Sequence, residues 1–163
     1  MATLVAFRND PAGLLRRAKA GLDTLTTHTQ FDGRAAAIGY CFGGMTVLQM
    51  ARSGMDLTGV VSVHGSLATI APAAPGAIKA KVLVCHGALD PHVPMAQVTG
   101  FLDEMKQSGI DWQLIMYGGA VHGFTNNAPS TSPGVAYDLN ADRRSAIAID
   151  DFLAEIFGEQ PRF

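Results

Sequence analysis

Short, continuously apolar runs alternate with longer stretches whose apolar residues recur every three or four positions. The short runs predict buried strands, and the longer stretches predict amphipathic helices. The predicted strands are Ala35–Tyr40, Thr58–His64, Ala80–Gly87 and Asp111–Gly119. The predicted helices are Asp10–His28, Gly43–Arg52, Val93–Ser108 and Leu139–Phe157. This alternation predicts an α/β fold, in which a mostly parallel sheet is flanked by helices.

Length and composition indicate a globular domain. The 163 residues suffice for one domain, residues 1–163, and 48% of them are hydrophobic, which suffices for a core. The formal net charge of −2, with no basic run, argues against nucleic acid or a membrane as a partner. The sequence shows no membrane-spanning run and no secretion signal, and its two cysteines make no disulfide framework. We therefore expect a cytoplasmic protein.

Three chemically competent residues follow three of the predicted strands. Cys41 follows the first strand, Asp90 the third and His122 the fourth. Ligands of parallel α/β sheets bind beyond the carboxyl ends of the strands, so these side chains are expected at one edge. Their order along the chain, nucleophile then acid then histidine, is that of the α/β-hydrolase triad.

The stretch "GYCFGG", Gly39–Gly44, has the G-x-C-x-G form of a nucleophile elbow. In such an elbow the central residue adopts a strained backbone, and small neighbours let strand and helix pass closely. A helix N-terminus behind Cys41 favours its thiolate, and the Phe42 N–H is placed to donate to an oxyanion. His122 would transfer the proton and Asp90 would orient its ring.

Three segments, "GYCFGG", "HGALDPHVP" and "YGGAVHGF", resemble the dienelactone hydrolase family in sequence and in order. The resemblance covers the C-terminal two-thirds of that family. It implies an α/β-hydrolase-like fold and the hydrolysis of small esters or lactones through a thioester intermediate. It also implies catalysis by Cys41, Asp90 and His122, without a metal or an organic cofactor.

The sequence departs from the family in ways that affect this expectation. The family's N-terminal strands, with their second oxyanion donor, an activating glutamate and a carboxylate-binding arginine, have no counterpart here. Asn126 stands where dienelactone-cleaving members carry another arginine. We therefore expect weak activity, with substrate contacts from Tyr40, Phe124 and Asn126. Packing is the alternative role for the two aromatic residues.

The first predicted strand would lie in the middle of the sheet in the family, but here it is expected to be an edge. An uncovered hydrophobic edge favours association. Either the segment Thr3–Phe7 covers this edge, or two chains pair through it, and we predict a homo-oligomer. A fragment of a longer product is a further possibility.

Other interpretations compete with the hydrolase hypothesis. A catalytically silent binding or assembly module, or a thiol redox sensor based on Cys41, would also fit parts of the sequence. His86, Asp90 and His92 do not have the spacing of a known metal site. His64 is interpreted as a residue that caps the end of a strand, and Cys85 as part of the core.

Overall fold

A computed structural model of the protein describes residues 10–158. The strands are β1, Ala36–Tyr40; β2, Gly59–Val63; β3, Lys81–Gly87; and β4, Trp112–Tyr117. The helices are α1, Pro11–Thr26; α2, Phe42–Arg52; α3, Met95–Ser108; and α4, Leu139–Phe157. Every predicted helix and strand is present, and each end lies within two residues of the predicted one.

The four strands form one parallel sheet in the order β1-β2-β3-β4. Ile38 of β1 is paired with Val61 of β2, which is paired in turn with Leu83 of β3. Strand β2 has no exposed residue, as expected for a parallel strand that is covered on both faces. The predicted α/β architecture is therefore confirmed for the described residues.

Two hydrophobic clusters fill the spaces above and below the sheet. The larger cluster packs α1, α2 and α3 against one face, and includes Leu48, Val60, Val82 and Phe101. The smaller cluster packs α4 against the other face, and includes Val61, Leu83, Phe124 and Phe152. Side chains alternate across a strand, so neighbouring β2 residues contribute to opposite clusters.

The helix ends follow from local chemistry. Asp10 accepts a hydrogen bond from the Gly13 N–H at 2.8 Å, ahead of Pro11 at the first helical position. Helix α3 begins at Met95 rather than at the predicted Val93, because Pro94 has an extended backbone with φ −64° and ψ 159°. It stops at Gly109, whose φ of 68° is the left-handed conformation that glycine adopts readily.

A buried ion pair joins α2 to α3 beneath the loop that follows β2. Arg52 donates through Nε and Nη2 to the Glu104 carboxylate at 2.9 and 2.8 Å, and through Nη2 to the Leu67 carbonyl at 3.0 Å. Glu104 also accepts from the Ala73 N–H at 3.0 Å. A bidentate pair of this kind fixes its partners geometrically, so it holds the loop from Leu67 to Ala73 against the helices.

Strand β1 is the outer strand, as the sequence predicts, and within residues 10–158 it pairs with β2 alone. Ile38 and Tyr40 on its α4-facing side are 41% and 50% exposed. The alternative partner, Thr3–Phe7, lies outside the described residues. The predicted homo-oligomer stays a prediction.

None of the helices in the described part of the chain is long and apolar enough to cross a membrane.

Candidate active site

Cys41 occupies a strained position between β1 and α2. Its φ of 53° and ψ of −113° lie outside the regions that a residue with a side chain normally adopts. The Cys41 N–H donates to the Val63 carbonyl at 3.0 Å, which extends the β1–β2 ladder by one residue, and α2 begins at Phe42. The strain and the placement are those expected of a nucleophile elbow.

Small residues are needed at the elbow, but not at every position that the motif suggests. A Cβ at Gly39 would overlap the backbone of Gly43, whereas a Cβ at Gly43 would meet nothing within 4 Å. A Cβ at Gly44 would lie 2.7 Å from Ser62 Oγ and 3.0 Å from the Cα of Gly65. Close passage of strand and helix therefore depends on Gly39 and Gly44. The prediction that packing also requires a small residue at Gly43 is wrong, because a side chain there would meet no neighbour.

This difference gives a matched pair of substitutions. Gly39→Ala is expected to lower the free energy of unfolding by roughly 3 kcal/mol or more, because the new methyl group meets backbone atoms of the helix. Gly43→Ala is expected to leave it unchanged or to raise it by up to about 1 kcal/mol, because alanine favours the helix. Urea denaturation of both variants measures this, and equal losses would contradict the packing described.

Asp90 and His122 form a hydrogen-bonded pair beside the elbow. The Asp90 Oδ2 and His122 Nδ1 atoms are 2.8 Å apart, and the Asp90 side chain has no exposed surface. The other oxygen of Asp90 accepts from the His92 N–H at 2.8 Å. The carboxylate is thus fixed at both oxygens and holds the imidazole ring by its Nδ1 atom.

A returning segment, residues 132–136, fixes the loop that carries His122. The His122 N–H donates to the Gly134 carbonyl at 3.1 Å, and the Ala136 N–H donates to the His122 carbonyl at 3.2 Å. Gly134, with φ 71°, packs so closely on Pro91 that a side chain there would overlap the proline ring. The backbone on both sides of the acid–histidine pair is therefore held in place.

His64 is a member of the site that the sequence interpretation missed. It lies just beyond β2 with a φ of 40°, is 2% exposed, and its Nδ1 atom is 3.2 Å from Cys41 Sγ. Its Nε2 atom is 2.9 Å from the hydroxyl oxygen of Thr125. The signal was available, because His64 follows β2 at the same carboxyl edge of the sheet as the predicted triad.

Cys41, His64 and His122 converge on one point. A sulfur atom and one nitrogen from each imidazole lie within 4.8 Å of one another. The two imidazole rings meet edge to face, with their centroids 5.4 Å apart. Because His122 Nδ1 is hydrogen bonded to Asp90, the Nε2 atom of His122 is the ring nitrogen that can interact with the Cys41 thiol.

This arrangement changes the ionisation of the thiol and of the imidazole. Burial raises the pKa of the Cys41 thiol, but hydrogen bonds with His122 and His64 outweigh it and lower that pKa from 9.0 to about 6. Hydrogen bonds with Asp90 and Cys41 raise the pKa of His122 from 6.5 to about 9. At a pH between these two pKa values, the Cys41 thiolate therefore faces the His122 imidazolium.

The carboxylate behind His122 stays ionised. Burial raises the pKa of Asp90, but hydrogen bonds from His122 and from the His92 backbone outweigh it and lower that pKa below 3.8. Cys85 behaves in the opposite way, since burial raises the pKa of its thiol to about 11 and no surface of it is exposed. The prediction that Cys85 belongs to the core is confirmed.

A cleft of about 220 Å³ opens beside the thiol. It is lined by Cys41, Phe42, Met45, Ser66, His92, Val93 and His122. The cleft is mostly apolar, with the Cys41 thiol and the His122 imidazole on its walls. Its volume is below the usual range for drug-sized ligands, which fits a small substrate.

The three residues that the sequence predicts to contact a substrate do not line this cleft. Phe124 has no exposed surface, and its ring packs edge to face on His64 with centroids 5.0 Å apart, so the packing alternative describes it. Asn126 is exposed and its Oδ1 atom accepts from the Ala128 N–H at 3.1 Å, within its own turn. Tyr40 is half exposed on the outer strand. Among the described residues, these three are not part of the cleft lining.

Comparisons with known proteins place the chain in a family. The model for the dienelactone hydrolase family matches residues 2–157. The chain belongs to the dienelactone hydrolase family. The uncharacterized protein K02A2.1 of Caenorhabditis elegans is 35% identical over 155 residues, which is 91% of this chain and 98% of that relative.

Two solved structures are also similar to this chain. A dienelactone hydrolase-like promiscuous phosphotriesterase, P91, from metagenomic libraries shares 40% identity with a TM-score of 0.88. A structure called m3DLH shares 37% identity with a TM-score of 0.86. The alignments cover 95% and 94% of this chain, but 66% and 65% of those two chains. This member of the dienelactone hydrolase family thus spans about two thirds of their length.

Proposed function

We propose that the protein is a cysteine-dependent hydrolase of small esters or lactones. The observation that carries this proposal is the placement of three groups at the wall of a small cleft: the Asp90 carboxylate is 2.8 Å from His122 Nδ1, and a His122 nitrogen lies within 4.8 Å of the Cys41 sulfur. Membership of the dienelactone hydrolase family supports it. Triads are recognised by this geometry and by the roles of their members.

The reaction divides into acylation and deacylation. The Cys41 thiolate attacks the carbonyl carbon, and the oxygen gains a negative charge that the Phe42 amide at the start of α2 would stabilise. The tetrahedral intermediate collapses, its carbon–oxygen bond to the leaving group breaks, and His122 gives that oxygen its proton. His122 then takes a proton from water, which attacks the thioester and releases the acid and the thiolate.

His64 is a positioning residue for the nucleophile in this scheme. Its Nδ1 atom lies 3.2 Å from Cys41 Sγ, and Thr125 fixes its opposite nitrogen. A second imidazole at this distance favours the thiolate over the thiol, which is one cause of the low Cys41 pKa. It provides an activating contact for the thiol in addition to the one from His122.

Phosphotriester hydrolysis is a second candidate, because P91 is described as a phosphotriesterase and is 40% identical. The same thiolate would then attack phosphorus and expel an aryloxide. Assaying an aryl phosphotriester beside p-nitrophenyl acetate separates the two substrate classes. Turnover of the acetate ester alone would restrict the activity to carboxylic esters.

The pH dependence of hydrolysis tests the proposed function. The thiol pKa is lowered, so thiolate is present above pH about 6, and the imidazole pKa is raised, so imidazolium is present below pH about 9. We expect kcat/KM for p-nitrophenyl acetate to be bell-shaped, rising through the first value and falling through the second. A rate that increases steadily with hydroxide concentration would contradict the mechanism and favour a catalytically silent module.

A further inference from the structure

The sulfur and imidazole groups at the elbow also form a set of metal ligands. Cys41 Sγ and His64 Nδ1 are 3.2 Å apart, and the His122 ligand atom lies within 4.8 Å of both. One thiolate and two imidazoles are ligands that Zn²⁺ accepts in tetrahedral sites. Small shifts of the side chains would bring the three atoms to three corners of one coordination tetrahedron.

The far side of each imidazole is anchored as it is in known metal sites. His122 donates from Nδ1 to the Asp90 carboxylate at 2.8 Å, and His64 contacts Thr125 through Nε2 at 2.9 Å. Metal-bound histidines almost always hydrogen bond through the other ring nitrogen, which fixes the ring and its tautomer. Both rings thus turn their remaining nitrogen toward the same sulfur.

The remaining contacts of the cluster are compatible with metal binding. The Cys41 N–H contacts His64 Nδ1 at 3.2 Å, but it also donates to the Val63 carbonyl at 3.0 Å and keeps that partner if the nitrogen turns to a cation. Cys41 and His122 line the open cleft, which offers a route of entry and room for a water molecule as fourth ligand. Three protein ligands and one open position describe a zinc site of the accessible type.

We propose that Cys41, His64 and His122 bind a divalent cation of the zinc type, and that binding reversibly silences the thiol. The thiolate donates a lone pair to the cation, and a protonated imidazole releases its proton to solvent before its nitrogen binds the cation. A coordinated sulfur no longer attacks a carbonyl, and a coordinated imidazole no longer transfers a proton. The silencing rests on the proposed function, whereas the binding does not.

Cobalt binding to the full chain tests the site without reference to activity. The protein is stripped with a chelator and titrated with Co²⁺ alone, which reports on its ligands by absorption. We expect a thiolate-to-cobalt charge-transfer band, visible bands of tetrahedral intensity, saturation at one equivalent and displacement by Zn²⁺. Absence of the charge-transfer band would overturn the proposal.

Variants assign the ligands. Cys41→Ser should abolish the charge-transfer band, and Cys85→Ser, the matched control, should keep it. His64→Ala should weaken cobalt binding by at least about tenfold, and Thr125→Val by about tenfold because the ring loses its anchor. Circular dichroism of each variant confirms folding. Unchanged affinity in a folded His64→Ala variant would overturn the three-ligand site.

Activity separates this proposal from the hydrolase proposal. Ester hydrolysis is measured in chelator and again with Zn²⁺ at saturation. Loss of activity with zinc and recovery on chelation is expected. Cobalt binding without any ester hydrolysis would support the metal site and contradict the proposed hydrolase function. Ester hydrolysis that saturating zinc does not affect would contradict the proposal that the metal silences the thiol.

Discussion

Cys41→Ala is expected to lower kcat/KM for p-nitrophenyl acetate by at least about a thousandfold, because the variant has no atom that can form the thioester. The thiol sits at an elbow whose strained backbone presents it to the cleft, and two imidazoles lower its pKa to about 6. Residual hydrolysis would come from binding and from general base action on water.

Cys85→Ala is the matched control, since it removes the other thiol of the chain from a fully buried position in β3. That variant should keep kcat/KM within a few-fold of the wild type, provided that it folds. Equal rates for the wild type and Cys41→Ala would rule out the cysteine mechanism. If both variants lose activity but only Cys41→Ala keeps the circular dichroism spectrum of the wild type, then Cys85→Ala is inactive because it is misfolded. The nucleophile would in that case still be assigned to Cys41.

Asp90→Asn is expected to lower kcat/KM by roughly a hundred- to ten-thousand-fold, because an amide neither stabilises imidazolium nor fixes the right tautomer. The hydrogen bond to Asp90 is the largest cause that raises the His122 pKa to about 9. The falling limb of the pH profile should therefore move to a lower pH in this variant. The asparagine oxygen can still accept from the His92 N–H, so the turn is expected to survive.

Asp103→Asn on the exposed face of α3 is the control for a general loss of negative charge. It should leave the pH profile in place. A purely structural role for Asp90 would lower the amount of active protein without moving the falling limb. An unmoved limb in a folded Asp90→Asn variant would therefore contradict the assigned role.

The order and the kind of elements could be predicted because each depends on local pattern. Helix α4 has the predicted bounds, Leu139–Phe157, since Asp138 caps its start and Gly158 its end. The contacts among Cys41, Asp90 and His122 followed from one rule, that parallel strands bring their carboxyl ends to one edge. These are properties that spacing along the chain determines.

The role of His64 could not be read from spacing alone. Its ring reaches Cys41 because its backbone takes a φ of 40° and because Thr125 and Phe124 hold the ring from two sides. Those two contacts join residues that are 60 and 61 positions apart. The burial of Phe124 could not be predicted for the same reason. An aromatic residue two positions after His122 can either line a cleft or pack beneath it, and its contact with His64 decides which.

The glycines of the elbow show a different limit. The motif marks Gly39 and Gly43 as equivalent, but the first lies against the helix backbone and the second faces open space. Only the path of α2 relative to β1 distinguishes them. The proximity of Cys41, His64 and His122 could not be predicted for a related reason, since the sequence places His64 only at the end of a strand.

The intact mass of the protein during the first turnover tests the central claim most directly. The full chain is mixed with p-nitrophenyl acetate, quenched in acid, and weighed, and the modified peptide is mapped. The account predicts one acetyl group on Cys41, removable by hydroxylamine as a thioester is, appearing together with one equivalent of p-nitrophenol. One equivalent of p-nitrophenol released with no acetyl group on Cys41 would contradict it.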